Sequence, residues 1–156
     1  MKITLLVVGK TTDSHIEALL QEYQRRLGHY ISFSFNVIPE LKNTKSLTAE
    51  QQKYQEGELI LRAVAANADL ILLDERGKEY RSIEFAEYLQ KKMLSGRDVV
   101  FVVGGPYGFS EAVYQRANGK ISLSKMTFSH QMVRLFFVEQ IYRAMTILRG
   151  EPYHHE

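Results

Sequence analysis

The sequence predicts an α/β fold, a mostly parallel sheet with helices on both faces, in a single domain over residues 1–156. Three observations carry this. Strand-like runs alternate five times with helix-periodic segments, the pattern of a sheet built from crossover units. Ile3–Val8 is a continuous run of β-branched residues and Leu, and Leu70–Leu73 and Val99–Val103 are wholly apolar, as strands buried on both faces are. At 156 residues the chain is long enough for a core and short enough for one domain.

Each element has its own signal. Ile3–Val8 is the first strand. Asp13 or Ser14 caps a helix in which Ile16, Leu19, Leu20, Tyr23 and Leu27 recur at helical spacing, and Arg25, Arg26 and His29 suit its carboxyl end. Ile31–Ile38 alternates Ile31, Phe33, Phe35 and Val37 with polar residues, a strand with one wetter face. Residues 39–47 form a polar loop. Thr48 to Gln51 is a capping box, and a helix to about Asn67 follows, apolar only in its second half. Leu70–Leu73 is a strand that ends at Asp74–Lys78. Ser82 caps a helix with Phe85, Tyr88, Leu89 and Met93 on one side. Val99–Val103 runs into Gly104-Gly105-Pro106-Tyr107-Gly108. Ser110 caps a short helix that Asn118-Gly119 stops, and Ile121–Leu123 is a last short strand.

The final helix, Ser129–Arg149, is apolar almost all round, with one polar line of Glu139, Arg143 and Thr146. One side covers the sheet and the other needs a second partner. The same helix of another copy, across a two-fold axis, is the simplest one, so a homodimer is expected.

Composition narrows the function. The chain has no cysteine, which excludes disulfides, thiolate metal sites and cysteine nucleophiles. No apolar run is long enough to cross a bilayer, and Ile3–Val8 is too short for a signal peptide, so a cytoplasmic protein is expected. A formal net charge of +2 permits an anionic partner without demanding one. The exposed basic groups Arg25, Arg26, Lys91, Lys92 and Arg97 offer only mild steering of nucleic acid.

Ligands of open α/β sheets bind at the carboxyl ends of the strands. Three segments converge there: Leu73–Lys78, Gly104–Gly108 and Ser122–Phe128. The glycine-rich turn lets backbone approach a ligand, yet it matches neither the dinucleotide fingerprint nor the phosphate-binding loop. The acids Asp74, Glu75 and Glu111 have no spacing that argues for paired carboxylates. The histidines have no metal-ligand spacing, and His154-His155-Glu156 reads as a solvated tail. His130 and Arg134, at the start of the last helix, suit either a structural or a substrate role. These residues define an α/β domain with a small-molecule pocket, and by themselves they fix no reaction.

Taken together, the motifs resemble a known family nearly end to end. They are the opening MKITLLVVGK, Glu22–Leu27, Leu73-Asp74 with Gly77-Lys78, Val103–Gly108, and Ser122–Phe128 with His130 and Arg134. Glu139–Ala144 and Pro152-Tyr153-His154 complete the set. The chain is similar to the SPOUT methyltransferases, in particular to the ribosomal RNA large subunit methyltransferase H family. The resemblance implies a SPOUT-type domain with a C-terminal trefoil knot, a homodimer, and no need for a metal. S-adenosylmethionine would bind against Leu73, Gly104 and the run Leu123, Ser124, Lys125, Met126, Thr127 and Phe128. The methyl group would go to N3 of a pseudouridine in 23S rRNA of assembled ribosomes, with neither DNA nor membrane as partner. His130 and His154 are the candidates for the base that removes the imide proton, His154 coming from a folded-back tail or from the other subunit. Arg134 and Arg143 would hold phosphate or orient the base.

Two rivals make distinct demands. A Rossmann-type methyltransferase or dehydrogenase needs a glycine-rich turn after the first strand, where only Gly9 stands. A non-catalytic RNA- or ribosome-binding module needs no cofactor pocket. Calorimetry with S-adenosylmethionine separates it from an enzyme.

Overall fold

The computed structural model describes residues 1–155. Strands β1 (Lys2–Val8), β2 (Ser32–Ile38), β3 (Asp69–Glu79), β4 (Val99–Val103) and β5 (Gly119–Ser122) form one sheet in the order β2-β1-β4-β3-β5. Every neighbouring pair is parallel. Helices α1 (Ser14–Leu27), α2 (Ala49–Ala63), α3 (Ser82–Ser95), α4 (Glu111–Arg116) and α5 (Met132–Leu148) make the connections, with a 3₁₀ turn at Thr44–Ser46.

The apolar runs are continuous because the central strands alternate between two cores. Ile3, Leu5 and Phe101 face one core with Leu20 of α1, Leu89 of α3 and Phe137 of α5. Leu6, Leu72 and Val102 face the other with Ile60 of α2 and Val113 of α4. Helices therefore cover both faces, as expected. On edge strand β2, Phe33 and Phe35 pack partly against the first core. Val37 lies beyond that cover and is 42% exposed, while Ile38 turns to the second core.

Several boundaries move for local reasons. α2 stops at Ala63 rather than near Asn67, because Val64 is extended and the Arg116 guanidinium takes the carbonyls of Ala65 and Ala68 at 3.1 and 2.9 Å. β3 runs on to Glu79 past a bulge, since Leu73 and Lys78 both pair with Ile121. β5 correspondingly starts and ends earlier than the apolar pattern places it. Ser82 is the first residue of α3 rather than its cap. Its hydroxyl donates to Gln140 Oε1 at 3.0 Å, tying α3 to α5. Leu19 sits beside the buried stripe of α1 and is 46% exposed. α5 begins at Met132, and Thr146, at one end of the expected polar line, is fully buried.

Much of the basic surface is already paired. Arg25 and Arg26 both engage Glu22, and Lys92 and Arg97 flank Asp69, at 3.1 and 3.4 Å. No helix among the described residues is long and apolar enough to cross a membrane.

Candidate active site

The carboxyl ends of β3, β4 and β5 open into one cleft of about 1050 Å³. Leu73 enters from β3, Gly104 to Gly108 from the turn after β4, and Leu123, Ser124, Met126, Thr127, Phe128 and His130 from the chain after β5. The three segments picked out in the sequence thus meet at one site. Lys125 is exposed and stands outside the lining.

The hydroxyl-rich stretch after β5 holds its shape through its own side chains. Ser122 Oγ donates to the Ser124 carbonyl at 2.9 Å, and Ser124 Oγ accepts from the Met126 N–H at 2.9 Å. Ser129 Oγ accepts from the Met132 N–H at 3.0 Å and satisfies a first-turn donor of α5. Short hydroxyl side chains that bond to nearby backbone favour such turns over a helix or a strand, which is why the segment follows neither period.

The next residues lock this stretch to the end of β1. Gln131 Oε1 accepts from the Thr12 N–H at 2.8 Å. Arg134 is only 2% exposed. Its guanidinium donates to the His130 carbonyl at 2.9 Å, to Thr11 Oγ1 at 3.2 Å and to the Val8 carbonyl at 2.9 Å. Arg134 therefore sits behind the site wall, while His130, four residues earlier, lines the cleft.

The opposite wall has a support that the sequence reading did not single out. Glu56 of α2 is 5% exposed and accepts from the Gly105 N–H at 3.0 Å. A Cβ at position 105 would overlap the Glu56 carboxylate, and one at Gly57 would overlap the Ser110 hydroxyl. Ser110 caps α4 through the Val113 N–H. The pair Glu56-Gly57 thus seats both the glycine turn and the helix after it. Burial, reinforced by the charge of Glu40, pushes the Glu56 carboxyl above its ordinary range, although the Gly105 N–H opposes this. A glycine inside a helix costs about 1 kcal/mol, so Gly57 was the available sign of a close approach.

At the bulge of β3, Asp74 accepts a short hydrogen bond from the Tyr114 hydroxyl and another from the Arg76 N–H at 2.8 Å. Arg76 in turn donates to Tyr114 Oη at 2.7 Å. Burial acts to raise the Asp74 carboxyl, but these partners outweigh it and hold it below the ordinary value. Asp74 and Tyr114 both line the cleft.

Arg143 and His154 belong to a different cluster, between α1, α5 and the tail. Arg143 donates twice to Glu139 Oε1, at 2.6 and 3.1 Å, and Tyr153 donates to the same oxygen at 2.9 Å. Tyr23 and Tyr142 pack around Tyr153, and Tyr30 donates to Glu151 at 2.6 Å. Arg143 Nη1 lies 3.0 Å from His154 Nδ1. A guanidinium can only donate, so Nδ1 accepts and the neutral ring carries its proton on Nε2. The tail is folded onto its own chain, and neither Arg143 nor His154 is among the residues lining the cleft.

A parallel α/β sheet with a cleft walled by backbone turns at three strand ends is the architecture of small-molecule-binding α/β domains. Comparison with known families makes the class specific. The family model described as "Predicted SPOUT methyltransferase" matches residues 1–154. The chain belongs to this family, in the branch of ribosomal RNA large subunit methyltransferase H. A relative of that name from Bacteroides thetaiotaomicron is 62% identical over 157 residues, covering all of both chains. Another from Flavobacterium johnsoniae is 57% identical over the same length, again covering both. Among solved structures, a probable methylase family protein from Haemophilus influenzae Rd KW20 superposes with a TM-score of 0.56. It is 11% identical and covers 99% of this chain and 70% of its own, a likeness of fold.

Proposed function

We propose that the protein transfers a methyl group from S-adenosylmethionine to N3 of a pseudouridine in 23S rRNA, acting on assembled ribosomes as a homodimer. The observation that carries this reading is the cleft. The segments Leu73, Gly104 and Leu123–Phe128, which the family resemblance implies as cofactor contacts, line a single hollow of about 1050 Å³ at the strand ends, Lys125 excepted. The lining suits such a cofactor. Leu73, Leu123 and Met126 are apolar faces for a purine, and the backbone around Gly104 offers main-chain donors and acceptors.

Bound there, the cofactor supplies a sulfonium methyl group that needs no further activation, which leaves positioning to the protein. His130 lines the cleft, and in this reading it takes the imide proton that must leave N3. Arg134 acts from behind, holding the His130 carbonyl and the Val8 carbonyl and so fixing where the imidazole stands. His154 and Arg143 lie outside the cleft of their own chain and act on the substrate held by the second copy, with Arg143 donating to His154 Nδ1.

The C-terminal trefoil knot and the dimer are part of the same reading. The return of Gln131 and Arg134 to the end of β1, after β5 has joined the far edge of the sheet, supports the first. Met132, at the amino end of α5, is 37% exposed, an apolar side chain for a second copy to cover. Paired surface cations agree with a substrate recognised as a whole particle rather than as free RNA. The test is transfer of labelled methyl groups to large subunits from cells lacking the protein, with mapping of the modified base. Methylation of tRNA alone, or of a ribose oxygen, overturns the assignment.

A further inference from the structure

The stretch that walls the cleft also walls a second, smaller hollow on its far side. It encloses about 350 Å³, near the low end of small-molecule sites at about 300–1,000 Å³. Ile121, Ser122, Leu123 and Phe128 line both hollows, so the two adjoin. The walls of the smaller one are largely rings: Tyr80, Phe85, Phe128 and Phe136. Phe128 and Phe136 meet edge to face at 5.3 Å, and both remain more than a third exposed.

Its polar groups form one chain. Ser82 Oγ donates to Gln140 Oε1 at 3.0 Å, and Gln140 Nε2 donates to Glu139 Oε2 at 3.3 Å. Glu139 is anchored from behind by Arg143 and Tyr153. A donor on its oxygen and an acceptor on its nitrogen hold the Gln140 amide in one orientation. Beyond these two bonds the amide still has capacity for one N–H donor and one carbonyl acceptor.

We propose that this recess receives the target base and that Gln140 reads a carbonyl and the adjacent N–H on its edge. The inference rests on the reading that the larger cleft holds the methyl donor. A base taken out of an RNA stack needs flat apolar faces and partners for its edge, and the recess supplies both. Pseudouridine meets the demand in a particular way. Its N1–H and C2 carbonyl stay paired with the amide while N3 is left to react. In uridine N1 carries the ribose and has no proton, so the same amide loses a partner. The residues common to both hollows set the base against the donor, with N3 turned toward the cleft and His130.

The experiment uses the full-length protein, with cofactor binding measured by calorimetry and methylation kinetics measured on large subunits. Gln140→Leu removes both hydrogen-bonding atoms and leaves an apolar side chain in their place. It is expected to leave cofactor affinity unchanged and to lower kcat/KM about ten-fold or more, the effect of leaving a polar edge unpaired. Phe136→Ala is expected to act in the same direction. Gln140→Leu is also expected to narrow the preference for subunits that carry the pseudouridine over subunits that carry uridine there. Unchanged kcat/KM in both variants overturns the proposal. So does a loss of activity that sedimentation traces to a dissociated dimer, because the recess is then the seat of a second copy. A parent protein that binds no cofactor overturns the underlying reading instead, and calorimetry alone detects that.

Discussion

Glu56 Oε1 accepts the Gly105 N–H at 3.0 Å from inside a helix, and this bond joins α2 to the turn that walls the cleft. The turn has no regular secondary structure to hold it, so a buried carboxylate beneath it fixes where its backbone stands. Glu56→Ala leaves the Gly105 N–H buried without a partner, a cost of about 1–3 kcal/mol. Glu56→Gln keeps an acceptor oxygen. At pH 4 the expected order of denaturant midpoints is parent and Gln variant together, Ala variant below. Cofactor affinity should fall in the Ala variant and survive in the Gln variant. Equal affinity in all three proteins would separate Glu56 from the cleft.

The same carboxyl gives a pH signature. Its folded-state pKa lies above the ordinary value of 4.5, so the folded state holds its proton more tightly than the unfolded one. The stability this contributes is fully present below pH 4.5 and is lost as pH rises through the folded-state value. Glu56→Gln should therefore gain stability relative to the parent between acidic and neutral pH. Urea unfolding at pH 4 and at pH 7 measures it, and a difference that does not change with pH counts against the burial argument.

Asp74 behaves in the opposite sense. The Tyr114 hydroxyl and the Arg76 N–H hold it below the ordinary 3.8, against burial. Tyr114→Phe removes one partner and should cost about 1–2 kcal/mol at neutral pH. Asp74 contributes stability above its unfolded pKa and loses it as pH falls through the folded value, so the deficit should shrink in acid. Thermal unfolding across that range would show it.

Arg134→Met removes three hydrogen bonds from a residue that is 2% exposed and leaves two carbonyls without their donor. The expected loss is at least about 2 kcal/mol, and Arg134→Lys recovers only part of it, since an ammonium lacks the planar fork. A variant as stable as the parent yet defective only in RNA binding would move Arg134 from the wall to the substrate.

His130→Ala is expected to lower kcat for methyl transfer about 10²-fold or more while cofactor binding is kept, as removal of a general base does. His154→Ala should have a smaller effect, because in this arrangement its ring donates. A larger loss of kcat in His154→Ala than in His130→Ala would exchange the two roles.

Much of this was legible along the chain. The runs Ile3–Val8 and Val99–Val103 announced strands buried on both faces, and they lie at the centre of a five-stranded parallel sheet. The Thr48–Gln51 capping box and the Ser110 cap formed as read, because capping is a contact between residues three apart. The glycine turn and the Ser122–Phe128 stretch were placed at one site by the rule that ligands bind at carboxyl ends of strands. Glu56 was not found. It lies in the polar half of α2, and nothing local says that a charged residue there turns inward. Only the neighbouring Gly57 hinted at it.

Arg134 shows where the division falls. The sequence alone determined the alternation of strands and helices, the glycine turn and the hydroxyl-rich stretch, since these depend on neighbours a few residues away. Whether Arg134 faces a phosphate or the carbonyl of Val8, 126 residues earlier, was decided only when α5 returned to the end of β1. The same holds for His154 against Arg143 and for Glu56 against Gly105. A guanidinium or a carboxylate finds its partner by distance in space, and chain order carries that distance only after the sheet has closed.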